Sequence, residues 1–369
     1  LVAAALGIFL TALDVTVNVA LPNITEDLNT DLETVQWIII FYVGGTTGMQ
    51  LGLGGAVDMY GLKRFFVVGL LAYMLAVFLI GVAPGFGYVL GLRVFQAVGN
   101  GLILAAAPAI VTGLFPARSR GRALGMMAGL GTLGMINGSL GGGVLVDAFG
   151  WRAIFLGRLP LCLLGIAFAL VALRETKSAG SRAPYDLRGA VTLFVGMASF
   201  ILFVTLGGRD GWTLSYVLGL AALAVASMTV FARIERRALR PILDLALLKH
   251  RVLAPALLAA FLVTVATFIN WFILPFYVSD VIGASARAWG VLLMLQALTS
   301  AVTAPVGGWL SDRAHPSHTI TAAIAISALA MFWFSTLDAQ STMADVAMRM
   351  IAAGVGMGVF QASNANLIM

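Results

Sequence analysis

The sequence predicts an all-α polytopic membrane protein, built as two pseudo-symmetric six-helix bundles with a two-helix insert between them. Three observations predict it. Apolar runs long enough to cross a bilayer recur along the whole chain. A loop signal and an intramembrane arginine each occur twice, about 255 residues apart. Lysine and arginine gather in alternate loops.

The 369 residues are 60% hydrophobic and 10% charged, whereas about a quarter of an ordinary soluble domain is charged. A helix of about 20 apolar residues spans the hydrocarbon core. Twelve such spans are expected, at 1–22, 33–54, 64–83, 86–113, 121–146, 153–173, 187–207, 213–233, 252–279, 287–310, 319–338 and 343–369. Short polar turns join most of them, which favours antiparallel neighbours. The most hydrophilic stretch is Arg174–Asp186, and a second basic stretch runs from Arg233 to Arg251.

Gly54-x-x-x-Asp58 closes span two and is followed by Gly61, Lys63 and Arg64; Gly308-x-x-x-Asp312 closes span ten and is followed by Arg313. Arg93 in span four precedes Gly99 and Gly101; Arg349 in span twelve precedes Gly354, Gly356 and Gly358. Such internal similarity marks duplicated transporters. In a six-plus-six duplication both signals would return six spans later. Here both return eight spans later, so two helices lie between the halves. The expected division is a first bundle at 1–173, linker segments with two extra helices at 174–250, and the first four helices of a second bundle at 251–369. The complete protein then has fourteen spans, and the chain reads as a fragment lacking the last two.

Sixteen of the 22 Lys and Arg fall in the loops on the side where the chain starts, and four in the opposite loops: Arg152, Arg158, Arg209 and Arg287. The positive-inside rule therefore puts the N-terminus in the cytoplasm of a cell membrane. The net charge of +6 reports this orientation and implies no nucleic-acid partner. One cysteine, Cys162, and three loop histidines, His250, His315 and His318, supply no metal cluster. No GxxxxGK[ST] phosphate loop is present, and no intramembrane acid–base set points to an enzyme. No cofactor is expected. The implied partners are the lipid bilayer and a small-molecule substrate.

Candidate functional residues are polar groups placed in hydrocarbon. Asp14 and Asn18 stand four apart on one face of span one. A carboxylate there costs at least ~2.5 kcal/mol, so it faces a cavity or partner, or else sits near enough to the outer end to be wetted. Arg93 has Gln96 on its own face, with Asn100 one turn further. It either lines a cavity or snorkels to the headgroups. Span five is dense in glycine (Gly125, Gly129, Gly131, Gly134, Gly138, Gly141, Gly142, Gly143), which lets helices approach closely. Asn137 in that span is polar. In the second half Phe268, Asn270, Trp271 and Phe272 cluster in span nine, and Phe360, Gln361, Asn364 and Asn366 in span twelve. Aromatic rings with amides suit an amphipathic ligand. The repeated Gly–Asp–basic loops read as a cytoplasmic gating latch between helices.

These residues also resemble a known family. LDVTVNVALP (Leu13–Pro22), GGAVDMYGLKR (Gly54–Arg64), Arg93-x-x-Gln96 with Gly99, and the segment Gly131–Gly143 followed by Trp151–Arg152 are together similar to the major facilitator superfamily, in particular its fourteen-span drug:proton antiporter branch of EmrB/QacA type. The chain departs from the usual pattern at Met59, Leu62, Ala97, Ser139 and Arg158. The resemblance implies a monomeric transport unit that exports hydrophobic or amphipathic compounds in exchange for protons by alternating access. It implies that Asp14 and Arg93 take part in proton coupling. It also implies that Gly131, Gly134, Gly138, Gly142 and Gly143 form the antiporter-like glycine motif. A metabolite, lipid or peptide exporter on the same fold is the nearest alternative, and a transport-inactive membrane sensor or scaffold is one of another class.

Overall fold

The computed structural model describes residues 2–173, 186–238, 241–243, 251, 253–313 and 316–368, apart from a few side chains inside helices. The hydrophilic stretch at 174–185, much of the basic stretch after span eight, His250 and His315 lie outside the described residues. So do the side chains of Asp58 and Asp312.

The described chain is helical, with no strand. In lipid this is forced, because a helix satisfies every backbone amide within its own segment. Eleven helices are long and apolar enough to cross a membrane among the described residues. Trp37–Tyr60, at the expected span two, is a further continuous helix of 24 residues. Glycines in left-handed backbone stop several spans. Gly61 (φ 117°) separates spans two and three, and Gly150 (φ 78°) ends span five.

Span one is not uniform. Val2–Ala12 and Thr16–Asp27 are α-helical, and Leu13–Val15 between them is a 3-10 turn that carries Asp14. A 3-10 stretch inside a helix is a local tightening often found at hinges. Span nine ends comparably: Leu253–Phe276 passes into a π turn at Tyr277–Val281 just after Pro275.

The chain forms two compact units. The first comprises Leu1–Thr11, Thr25–Gly131 and Phe155–Leu245; the second comprises Ala12–Ile24, Thr132–Ile154 and Ala246–Met369. The division therefore falls within spans one and five, at the 3-10 turn of one and at Gly131 of the other.

Within each unit the glycines flagged by the repeat are contact points. A Cβ on Gly99 would lie 2.6 Å from the backbone nitrogen of Tyr73 in span three, and one on Gly101 2.5 Å from Met49 in span two. In the second unit a Cβ on Gly356 would meet the Ser327 backbone nitrogen of span eleven at 2.9 Å. One on Gly358 would meet the backbone of Ser300 in span ten. The sequence repeat is thus a repeat of contacts: one glycine of the pair admits the preceding helix, and the other the helix before that. Spans two and seven meet in the same way. Gly44, Gly48 and Gly52, four apart on span two, face Ile201, Phe194 and Ala190 of span seven.

Gly99→Ala is expected to lower thermal stability by about 1–3 kcal/mol through overpacking. Gly91→Ala, on the same helix with nothing within 4 Å of the added carbon, is expected to be neutral or slightly stabilising. Thermal unfolding of the two purified variants checks the contrast.

Candidate functional site

The second unit contains a cleft that gathers side chains from five spans. Val15 comes from span one, and Thr132, Met135 and Ser139 from span five. Trp271 comes from span nine, Gln296 and Ser300 from span ten, and Met357 and Gln361 from span twelve. Its empty space is about 600 Å³ with the open mouth included. The wall is mainly apolar with a few amides and hydroxyls, the composition of a small-molecule site. Trp271 Nε1 donates to Gln296 Oε1 at 2.8 Å, and Gln296 is only 5% exposed. This bond fixes the indole plane and the orientation of the amide.

Of the residues expected in a substrate cavity, Trp271 and Gln361 line this cleft, while the others are placed elsewhere. Asn270 turns its amide to the carbonyl of Ala266 and to Met331 Sδ. Asn137 donates to Leu133 of its own helix at 2.8 Å. Asn18 and Asn364 are buried and are not among the residues lining it. Gln96 and Asn100 belong to the first unit, where Asn100 Nδ2 lies 3.4 Å from Thr46 Oγ1. Gln296 is the residue that sequence reading missed. A glutamine in the apolar run LLMLQALTS was the available signal.

In the first unit Arg93 is 1% exposed. Its Nη1 donates to Gln96 Oε1 at 2.6 Å, and its guanidinium lies 4.4 Å from the centre of the Tyr42 ring and 5.6 Å from that of Phe155. Burial against rings and an amide, rather than snorkelling, holds this charge. Arg158, grouped by sequence with the loops, is buried at 2%. It sits between Arg152–Leu156 and Leu159–Ala172, stacks on the same Phe155 ring and donates to Tyr73 at 3.1 Å. The break in span six turns it inward, which composition alone does not report.

Arg349 repeats Arg93 in sequence and also lies over a ring, that of Trp333 at 4.9 Å, but its hydrogen bonds differ. It donates to the Trp333 carbonyl, to Thr336 Oγ1 and to the Asp345 carbonyl at 2.8–2.9 Å. It thereby satisfies the C-terminal end of span eleven, where a cation also suits the helix dipole. Asp14 is partly buried in its 3-10 turn.

The glycine segment of span five serves two neighbours in the second unit. Gly138 and Gly142 face Leu13, Val15 and Thr16 of span one, and Gly143 faces the backbone of Ala286 and Arg287 in span ten. Asp147 accepts from the backbone N–H of Arg287 at 3.1 Å, so span five also caps the start of span ten. Gly131, at the division, faces Ile8 in the first unit; Gly134 is buried. Where the related motif usually has proline, Ser139 donates to Ile136, and Ala117–Phe149 runs unbroken for 33 residues. Beside this end Val15 and Val19 join a core of Leu274, Val278, Trp289, Leu292, Phe334 and Met350. In the adjoining loop, hydrogen bonds from Ser341 and from the Gln340 N–H hold the Asp338 carboxyl below its ordinary range.

The residues expected to gate are placed less completely. Gly54, Asp58, Gly308 and Asp312 fall within helices, but the two carboxylates lie outside the described side chains. Gly61 makes the turn, and Lys63 Nζ donates to the Leu170 carbonyl at the end of span six at 2.7 Å. Arg64 is exposed, and Arg313 stacks on Trp309 of its own helix at 4.2 Å.

Among the described residues, eleven helical spans apolar enough to cross a membrane, a further helix at Trp37–Tyr60, duplicated glycine contacts and polar groups held in apolar spans fit a multi-pass membrane transporter. The Major Facilitator Superfamily model matches residues 4–369, and the chain belongs to that family. It is 27% identical over 356 residues to the multidrug transporter protein MdtP of Bacillus subtilis, covering 96% of this chain and 65% of that one. It is 25% identical to the riboflavin transporter RibZ of Clostridioides difficile, covering 99% and 79%. It is 27% identical to the tetracenomycin C resistance and export protein of Streptomyces glaucescens, covering 100% and 69%. The chain thus spans about two thirds of the length of two of these relatives. Among solved structures it is similar to a bacterial homologue of the human lysosomal transporter Spinster, in an inward-facing and unoccupied conformation. That match has a TM-score of 0.62 and 18% identity, and covers 99% of this chain and 74% of the other; it supports the fold.

Gln296→Leu removes the acceptor of the Trp271 indole. The expected cost is about 1 kcal/mol, read as a lower thermal midpoint. Ala297→Ser, one position along at the edge of the same cleft, is expected to change it by less than about 0.5 kcal/mol.

Proposed function

We propose that this chain is the larger part of a proton-coupled exporter of hydrophobic or amphipathic small molecules, working by alternating access. The observation that carries the reading is the cleft of Trp271, Gln296 and Gln361 in a membrane chain whose relatives include a multidrug transporter and an antibiotic export protein. An apolar wall with a few amides rewards partition of a flat amphipathic molecule and asks for little directional matching. Asn18, Asn100, Asn137, Asn270 and Asn364 extend the polar surface in other states of the cycle. The two-span displacement of the repeated signals supports a place in the fourteen-span branch. The arginine-rich loops face the cytoplasm, as does the N-terminus, and the transport unit is a monomer.

Asp14 takes and releases the proton. It sits where span one is already tightened into a 3-10 turn, so a change of charge there acts on a helix segment with a second conformation within reach. Arg93, held between Tyr42, Phe155 and Gln96, sets the local potential. The glycines of span five with Asp147 close the outer end. Gly54, Asp58, Gly61, Lys63, Arg64, Gly308, Asp312 and Arg313 close the inner end. The driving force is adequate. One proton moving down 100 mV releases ~2.3 kcal/mol, and one pH unit adds about 1.4 kcal/mol. At one-to-one exchange this supports a gradient of roughly 500-fold for a neutral substrate.

A second reading has its own support. The relative named a riboflavin transporter aligns with 99% of the chain, and a planar metabolite suits the same cleft of aromatic and amide groups.

Asp14→Asn is the test. Efflux by the variant in cells is expected to lose its dependence on the proton gradient and fall at least tenfold, while ligand affinity changes by less than about threefold. A variant with unchanged gradient-driven efflux removes Asp14 from the coupling step.

A further inference from the structure

The two-helix insert carries a groove that the transport cycle does not use. Its walls are Met197, Phe200 and Ile201 of span seven and Ala224, Val225 and Met228 of span eight. Arg233 and Arg236 stand at one end. The groove is open and large, with about 1280 Å³ of empty space including its mouth. Phe200, Val225, Thr229 and both arginines are exposed. From Ala224 to Arg236 a helix rises about 18 Å, close to the ~15 Å depth of one leaflet of a ~30 Å hydrocarbon core. An acyl chain lying along the apolar wall therefore brings its headgroup level with the arginines.

Among the described residues the charge at that end is uncompensated. Glu235 stands between the arginines in the sequence RIERR and is the natural partner for them. Instead it is buried at 4%, and its carboxylate accepts the backbone N–H groups of Ile242 (2.8 and 3.1 Å) and Leu243 (3.0 Å). It staples the turn after span eight and leaves Arg233, Arg236 and Arg237 facing outward. No ion pair joins these three to an acidic side chain among the described residues.

We infer that the groove between spans seven and eight binds an anionic phospholipid, its acyl chain against Phe200, Val225 and Met228 and its phosphate on Arg233 and Arg236. A zwitterionic lipid gains the same apolar contact, but its ammonium offsets the attraction of the arginines. The insert is then a lipid-anchored flank of the first unit, held to span two by the Gly44–Gly48–Gly52 face.

The test titrates the purified full-length protein in detergent with dioleoyl phosphatidylglycerol, dioleoyl phosphatidylcholine or glycerol phosphate, and reads thermal stabilisation. Phosphatidylglycerol is expected to stabilise at concentrations at least tenfold below those needed for phosphatidylcholine, and glycerol phosphate to have no effect. Arg233→Gln with Arg236→Gln is expected to raise the phosphatidylglycerol midpoint about 30-fold, at roughly fivefold per arginine. Val225→Trp, which fills the groove and keeps the charge, is expected to raise it as well. Equal midpoints for the two lipids in the parent protein overturn the inference without any variant. Stabilisation by glycerol phosphate alone identifies a simple anion site instead, and a double variant that keeps its preference places the lipid elsewhere.

Discussion

Close approach of helix backbones at glycine is the constraint on which the rest of this structure depends. Between helices in lipid there is little hydrophobic driving force, because the acyl chains are as apolar as leucine. What remains is contact, and contact is best where side chains are absent. Gly99 and Gly101 seat span four against spans three and two. Gly356 and Gly358 do the same for span twelve. Gly138, Gly142 and Gly143 bring span five against spans one and ten. Two of the polar groups discussed above lie close to these seams. Arg93 lies two turns before Gly99–Gly101, and the cleft with Trp271 and Gln296 opens beside the seam of spans ten and twelve.

The same packing explains why charges survive in the spans. Arg93 and Arg158 share the ring of Phe155, and each adds one neutral hydrogen-bonding partner, Gln96 or Tyr73. Arg349 takes carbonyls at a helix end and lies 3.8 Å from the Asp345 carboxylate. A fixed cation in this setting biases the proton affinity of its surroundings without changing state itself. In the proposed cycle Asp14, on a span tightened into a 3-10 turn, is the group that changes charge.

Much of the fold was legible because hydrocarbon leaves few choices. Long apolar runs become helices, and the spacing of Gly54–Asp58 and Gly308–Asp312 exposes the duplication and its two-span displacement. The contacts were less legible. Periodicity names a helix face but not the neighbour it meets, so Arg93 and Arg349 looked alike and are bonded differently. Arg158 read as a loop residue because its turn interrupts span six, and the turn points inward. Gln296 went unremarked since a single amide in an apolar run declares itself only when Trp271 of another span is found beside it. Lys63 donates to the carbonyl of Leu170, a partner more than a hundred residues away that its own sequence neighbourhood does not name.

The central claim is that movement of an amphipathic molecule is tied to movement of protons in the opposite direction. The most direct measurement places the full-length protein in sealed vesicles with an imposed pH gradient, an amphipathic dye panel and an entrapped pH indicator. The account predicts that dye accumulates against its gradient on the acidic side, that its direction reverses when the pH gradient is reversed, and that protons flow the other way as it moves. Dye movement that ignores the pH gradient, with no accompanying proton flux, would contradict it.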